Sequence, residues 1–343
     1  MPCDTITNYN GYINSTFTTS TDGNTTEIIN IYNFNLELLI LNCSNNGVFM
    51  NIGSSSLFNL DNTTINSPQL DLFNVNNKED SIITFDKLWY QHKFYDNYNF
   101  YIAPKITNLD IINGDLYETN GNLQTFANGG GIGYHYTFSN YSGSGLGVSH
   151  NYNNYISGLI YIVSNESDNA NRFNTNSNES KTTTFIGYKN SNIEMIAANS
   201  YIQKAKSAIK LDKDLNNYNF RTYYKNKTKY LPDIFGVLDL IKKDPRKSVY
   251  SPLYSGGFQF KNIFRNNDYF SWLFGSRDSY EYKQEKKDTI QDIDETMSYE
   301  VTYGFKQNDN TEIKISNWFA GNPISKEIDY GGALNFKYYF SKN

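Results

Sequence analysis

Apolar and polar side chains alternate with a period of two through much of the chain. Near the C-terminal end, Leu334, Phe336, Tyr338 and Phe340 alternate with Ala333, Asn335, Lys337 and Tyr339. Before them Tyr299, Val301, Tyr303 and Phe305 alternate with Ser298, Glu300, Thr302 and Lys306. The turn residues Gln307-Asn308-Asp309-Asn310 follow, and beyond them Ile313 and Ile315 alternate with Glu312, Lys314 and Ser316. Two alternating runs joined by a short Asn/Asp turn predict a β-hairpin. The same grammar recurs upstream. Tyr32, Phe34, Leu36 and Leu38 oppose Asn33, Asn35 and Glu37, and Leu88 and Tyr90 lead through Tyr95-Asp96-Asn97 to Tyr98, Phe100 and Ile102. Ile132, Tyr134, Tyr136 and Phe138 lead to Leu146 and Val148, and Phe258, Phe260 and Phe264 to Phe270, Trp272 and Phe274. Roughly 14 to 18 segments at this spacing predict a large antiparallel barrel or a sandwich, all-β and a single domain over 1–343.

One region departs from the rhythm. From about 205 to 252 the chain is Lys-rich, and Pro232-Asp233 precede Ile234, Val237, Leu238 and Ile241. That spacing predicts a short helix capped by Asp233 and ending near Asp244-Pro245, set in a long loop or insertion. A surface position or a segment folded into the interior both fit it. The polar stretches 165–180 and 277–296 read as further long loops.

The residue types on the apolar faces sharpen the prediction. A soluble core is packed to high density, chiefly by Val, Ile and Leu. Here the chain carries 30 Tyr and 23 Phe, many of them at strand ends beside turns. Transmembrane strands place aromatics at the two membrane–water boundaries. Glu300, Lys306, Glu312, Lys314 and Lys337 all fall on the face opposite the aromatics, where enclosed water would solvate them. The mean hydropathy of −0.61 is compatible with such a wall, since half of every strand is polar. No apolar run is long enough for a transmembrane helix; Leu36 to Leu41 is the best stretch and holds Glu37. Asn-rich runs such as Asn151-Tyr152-Asn153-Asn154 suit turns.

Charge and motifs exclude several classes of activity. The formal net charge is −5, and the ionised residues are scattered, so a nucleic-acid partner is not expected. Gly129-Gly130-Gly131-Ile132-Gly133 lacks the Lys-Ser/Thr of a phosphate cradle and runs into an alternating segment rather than a helix. Gly143-Ser144-Gly145 lacks the nucleophile-elbow pattern. His92, His135 and His150 have no metal-ligand spacing, and His135 reads as an inward structural residue. Asp292 and Asp294 sit in a charged loop, and Asn165-Glu166-Ser167 is a chance sequon in so Asn-rich a chain. No catalytic residue, cofactor or metal site is expected, and the chain is not read as an enzyme. Cys3 and Cys43 either pair in an oxidising compartment or remain thiols. Met1-Pro2-Cys3-Asp4 lacks the basic and apolar regions of a secretory signal; a mature or truncated product, a misassigned start and a chain that is not an exported barrel all fit that, and truncation is the first expectation.

Three segments resemble the barrel domain of cyanobacterial outer-membrane porins, related to carbohydrate-selective (OprB-like) porins and often labelled iron-uptake porins. They are Phe85 to Ile106 with its Asp-Lys-Leu-Trp-Tyr-Gln strand, the glycine-rich Gly129 to Asn154, and Ser298 to Phe340 with its Asn-Asp-Asn turn. Two departures are visible: the family's signal peptide and peptidoglycan-binding region are not seen, and Ser341-Lys342-Asn343 follow the final aromatic. The resemblance implies a single transmembrane barrel of about 16 strands in the cell outer membrane. It implies a homotrimer in contact with the lipid bilayer, passing ions and small hydrophilic solutes. Glu300, Lys306, Glu312, Lys314 and Lys337 are the candidate pore-lining residues, though each fits a rim charge as well. Sugars, inorganic ions and iron complexes all remain open as solutes. The rival class is a secreted soluble β-sandwich or β-helix adhesin whose exposed aromatics stack on sugars.

Overall fold

The computed structural model describes residues 4–21, 26–43, 46–59, 84–95, 97–112, 143–163, 179–203, 214–228, 230–242, 251–277, 296–321 and 328–342. The first eight strands are β1 (Asp4–Thr21), β2 (Thr26–Cys43), β3 (Asn46–Asn59), β4 (Thr84–Phe94), β5 (Tyr98–Ile106), β6 (Gly143–Tyr152), β7 (Tyr155–Val163) and β8 (Ser180–Lys189). The second eight are β9 (Ile193–Gln203), β10 (Leu215–Tyr224), β11 (Asp233–Lys242), β12 (Ser251–Lys261), β13 (Asp268–Arg277), β14 (Thr296–Asn308), β15 (Thr311–Gly321) and β16 (Ile328–Lys342). Each pairs antiparallel with its sequence neighbours, and β1 pairs with β16 from Tyr9↔Lys342 to Thr21↔Tyr330. The 16 strands therefore close into one barrel. Closure pairs every strand on both sides and leaves no free sheet edge. The sandwich and β-helix alternatives are overturned by it.

The turns sort by end. At one end the hairpins are tight: Asn153-Asn154 joins β6 to β7, and Asp309-Asn310 joins β14 to β15. Asn153 sits at φ 52°, and Asn262 and Asn267 in the β12–β13 turn at φ 54° and 64°. Asn tolerates this left-handed region better than most residues, which gives part of the chain's asparagine a physical use. Most of the connections at the opposite end are longer.

Alternation then fixes the two faces of the wall. Leu146, Val148, Leu159, Ile186, Leu238 and Ile315 point outward and are exposed. Outward aromatics flank this belt: Tyr98, Tyr152, Tyr155, Tyr224 and Tyr338 toward the tight turns, and Tyr201, Tyr254, Tyr299, Phe319 and Tyr330 toward the other end. Each such side chain gains about 1.5–3 kcal/mol when removed from water, so the outer wall is built for an apolar surround. Inward positions are mostly polar, among them Asn51, Asn99, Ser200, Asn219, Ser271, Thr302 and Asn335, all buried.

Two expectations are corrected. Asp233–Lys242 is strand β11, not a helix, and β10 also falls in the supposed insertion over 205–252, at whose end β12 begins. Its residues carry apolar groups on both faces, with Phe235 and Val237 buried inside and Ile234 and Leu238 exposed outside. A doubly apolar strand satisfies helical spacing by coincidence. The helix of the described residues is instead α1 (Asn108–Ile112), in the connection after β5. Cys3, the glycine run 129–133, His135, the strand expected over 132–138, and most of the loops 165–180 and 277–296 lie outside the described residues.

Candidate functional site

The interior of the barrel is the candidate site, and a piece of the chain is folded into it. After β5, Thr107 caps α1: its backbone N–H and hydroxyl both donate to Asp110 Oδ2, at 2.8 and 2.7 Å. This is a capping box, in which an acid three residues in reaches back to the cap residue. Asp110 Oδ1 accepts from Lys87 Nζ of β4 at 2.8 Å. Asn108, fully buried, donates to Thr183 Oγ1 of β8 at 2.8 Å, and Thr183 meets Ser200 of β9 at 2.7 Å. Ile111 and Ile112 join a buried apolar cluster with Ile106, Ile160, Ile162 and Ile196 on the inner wall. Glycine makes the fit possible: a Cβ on Gly147 would lie 2.5 Å from Ile111 Cδ1. Gly143, Gly145 and Gly147 share the inward face of β6, so α1 approaches where the wall has no side chains.

Sequence reasoning missed this cluster. Two signals for it exist: the Thr107-x-x-Asp110 box ahead of Ile111-Ile112, and glycine at the first three alternate positions of β6, Gly143, Gly145 and Gly147. Neither says which wall the segment meets.

The five predicted residues all fall on the inward face of β14, β15 and β16, but not in one environment. Glu300 is 0 % exposed and accepts from Thr302 Oγ1 at 3.1 Å. Glu312 is buried; Tyr269 donates to its Oε1 at 2.9 Å and Tyr339 to its Oε2 at 2.7 Å. Lys306 is exposed, while Lys314 and Lys337 are half-buried. Lys306, Glu312 and Lys337 stand in one cross-strand row, and Lys314 is two residues from Glu312 on β15. Four of the five are thus brought together. Glu300, two inward positions beyond Gly304 and opposite Trp318, is apart from them.

Buried carboxylates recur at the tight-turn end. Asp233 accepts from Tyr223 Oη at 2.6 Å and pairs with Lys261 at 2.5 Å. Asp268 accepts the backbone N–H groups of Ile263, Phe264 and Arg265 at 2.6–3.0 Å, and the Tyr303 hydroxyl at 3.0 Å. Glu194 takes Lys225 at 3.0 Å and Lys189 at 3.6 Å. With Glu312, each begins or nearly begins an odd-numbered strand after a tight turn. They lock turn to wall. Among the described residues, no group of three or more His, Cys, Asp or Glu side chains is arranged to hold a metal ion.

A closed antiparallel cylinder of 16 strands, apolar and aromatic outside, polar inside, with tight turns at one end, is the fold of the outer-membrane porins. Solved structures share it over nearly the whole chain. OprB of Pseudomonas putida superposes with a TM-score of 0.67 at 12% identity, covering 99% of this chain and 94% of that one. An anion-selective porin from Comamonas acidovorans gives 0.61 at 7% identity, with 99% and 100% covered. OccK11 of Pseudomonas aeruginosa gives 0.58 at 6%, with 99% and 98% covered. At these identities the likeness is one of fold. No protein-family model matches the sequence, and no curated protein does.

Proposed function

We propose that this protein is an outer-membrane porin, a passive channel for ions and small hydrophilic solutes rather than an enzyme. One observation carries the proposal: a closed wall with exposed apolar and aromatic groups outside and hydrogen-bonding groups inside. Such a wall suits lipid on one side and enclosed water on the other, and barrels of this strand number leave an aqueous channel. The inward segment around α1 narrows that interior. Lys306, Lys314 and Lys337 are the proposed groups met by a passing solute, with Glu312 and Glu300 held in the wall behind them. The three segments resembling OprB-like cyanobacterial porins support placing the chain with that group, and a homotrimer accords with it.

The test is reconstitution. The protein is expected to require detergent for extraction, to migrate faster on denaturing gels before boiling than after, and to give stepwise currents in planar bilayers. A folded barrel giving no current steps would sink the channel assignment.

A further inference from the structure

We infer that the turn between β12 and β13 binds an anionic phospholipid headgroup, with the Arg265 guanidinium holding its phosphate. The inference goes beyond conduction and rests only on the part of the channel assignment that sets the barrel in a bilayer.

The turn lies against the outside of the wall. Phe264 meets the Tyr303 ring edge-on with centroids 5.8 Å apart, and the Arg265 guanidinium lies over the Phe305 ring at 4.3 Å. Both rings share the outward face of β14 with the exposed Val301. Tyr303 stands in one cross-strand row with Phe260 and Phe270. The turn therefore caps an aromatic terrace at the tight-turn end, where such barrels meet the periplasmic headgroup layer. At its tip Phe264 is 80 % exposed, with Ile263 beside it. A ring in that position favours an apolar surround, which the ends of lipid chains supply.

The guanidinium is left available. Among the described residues it makes no ion pair, either with Asp268 in its own turn or with Asp309 in the neighbouring β14–β15 turn. Asp268 is buried; its Oδ1 accepts from the Ile263 N–H, and its Oδ2 from the N–H groups of Phe264 and Arg265 and the Tyr303 hydroxyl. That carboxylate is thus held by the turn's own donors. The Tyr303 hydroxyl is also in contact with Arg265. Lys261 and Lys306, at the same ends of β12 and β14, face the lumen. A guanidinium stacked on a ring keeps its charge, and its planar fork matches two phosphate oxygens at once. Two other described cations lie over rings, Lys225 over Tyr223 and Lys337 over Tyr12 and Tyr339, and those rings face inward.

The turn is also formed in advance. Asn267 N–H donates to Asn262 Oδ1, and Asn262 N–H to the Asp268 carbonyl, both at 2.8 Å. With Asp268 fixing three further N–H groups, little remains to be ordered when a headgroup arrives.

The experiment is native mass spectrometry of the full chain in detergent, titrated with phosphatidylglycerol or with phosphatidylcholine of the same chains. Wild type is expected to retain phosphatidylglycerol in preference. Arg265→Gln should weaken that retention about fivefold, as expected for one basic side chain at an anionic lipid surface. Arg265→Lys keeps the charge without the fork and should recover part of the loss. Phe305→Leu removes the ring beneath the guanidinium and should weaken retention about twofold. Lys306→Gln, an equal charge change one residue along β14 on the opposite face, should leave it unchanged. Inorganic phosphate in excess should not displace the lipid. Each variant is first shown to be folded by its unboiled gel migration, and Arg265→Lys and Phe305→Leu serve if Arg265→Gln does not fold. Equal retention of the two lipids, unchanged retention in the Arg265 variants, or displacement by inorganic phosphate would overturn the headgroup site while leaving the channel standing. Bilayers without current steps would remove the channel and leave this site; a chain that enters neither detergent nor lipid overturns both.

Discussion

Lys87 Nζ and Asp110 Oδ1 meet at 2.8 Å, joining β4 on the barrel wall to a helix that lies inside the barrel. The pair is partly exposed, so its own worth is about 0–1 kcal/mol. Asp110 also closes the capping box on Thr107, so one carboxylate both forms the helix start and fixes it to the wall.

Asp110→Ala is therefore expected to loosen the inward segment by about 1–2 kcal/mol, the worth of a cap plus a weak pair. The barrel itself should survive, because its ladders do not involve Asp110. Single-channel recordings should show noisier open current, with unboiled gel migration unchanged. Quiet wild-type currents in the variant would remove Asp110 as the anchor.

Gly147→Ala should be costly and Gly236→Ala nearly silent. A Cβ at Gly147 would lie 2.5 Å from Ile111 Cδ1, whereas at Gly236 the nearest atom is Thr222 Cγ2 at 3.8 Å. Overpacking typically costs about 1–3 kcal/mol. Urea unfolding in lipid vesicles, followed by tryptophan fluorescence, should separate the two; equal midpoints would contradict the packing of α1 on β6.

Leu238→Arg places a charge on the outward face midway along β11. A cation near the bilayer midplane of a barrel costs about 2–4 kcal/mol. Folding yield into vesicles should fall by that measure. An unaffected yield would mean that Leu238 does not face lipid.

Asp268→Ala strips the β12–β13 turn of the acceptor for three backbone N–H groups and the Tyr303 hydroxyl. Leaving donors of this kind unsatisfied costs about 1–3 kcal/mol. Tyr303→Phe removes one of the four bonds and should cost about 1 kcal/mol. The ranking of the two in the same unfolding assay checks the account.

The β14–β15 hairpin was legible from local pattern, down to the inward placement of Glu300, Glu312 and Lys314 and the outward placement of Tyr299 and Ile315. Side chains on a strand alternate whatever the strand later pairs with, so face assignment follows from sequence spacing. The β11 strand was misread for the complementary reason: Phe235 and Val237 are apolar yet inward, because the lumen wall is not uniformly polar. The difference between the buried Glu312 and the accessible Lys306 was not legible. It depends on Tyr269, 43 residues away, and Tyr339, 27 residues away, reaching the same carboxylate.

The sequence by itself determined the strand rhythm, the two-faced wall and the asparagine turns, all of which are set within a few residues by backbone sterics and side-chain alternation. Tertiary structure decided closure, the segment that enters the interior and the charges left reachable there. Asn335 Nδ2 donates to Thr16 Oγ1 at 2.7 Å across 319 residues of chain, a contact that exists only once sixteen strands have come into register. Such contacts depend on where distant segments meet, and no local period encodes that.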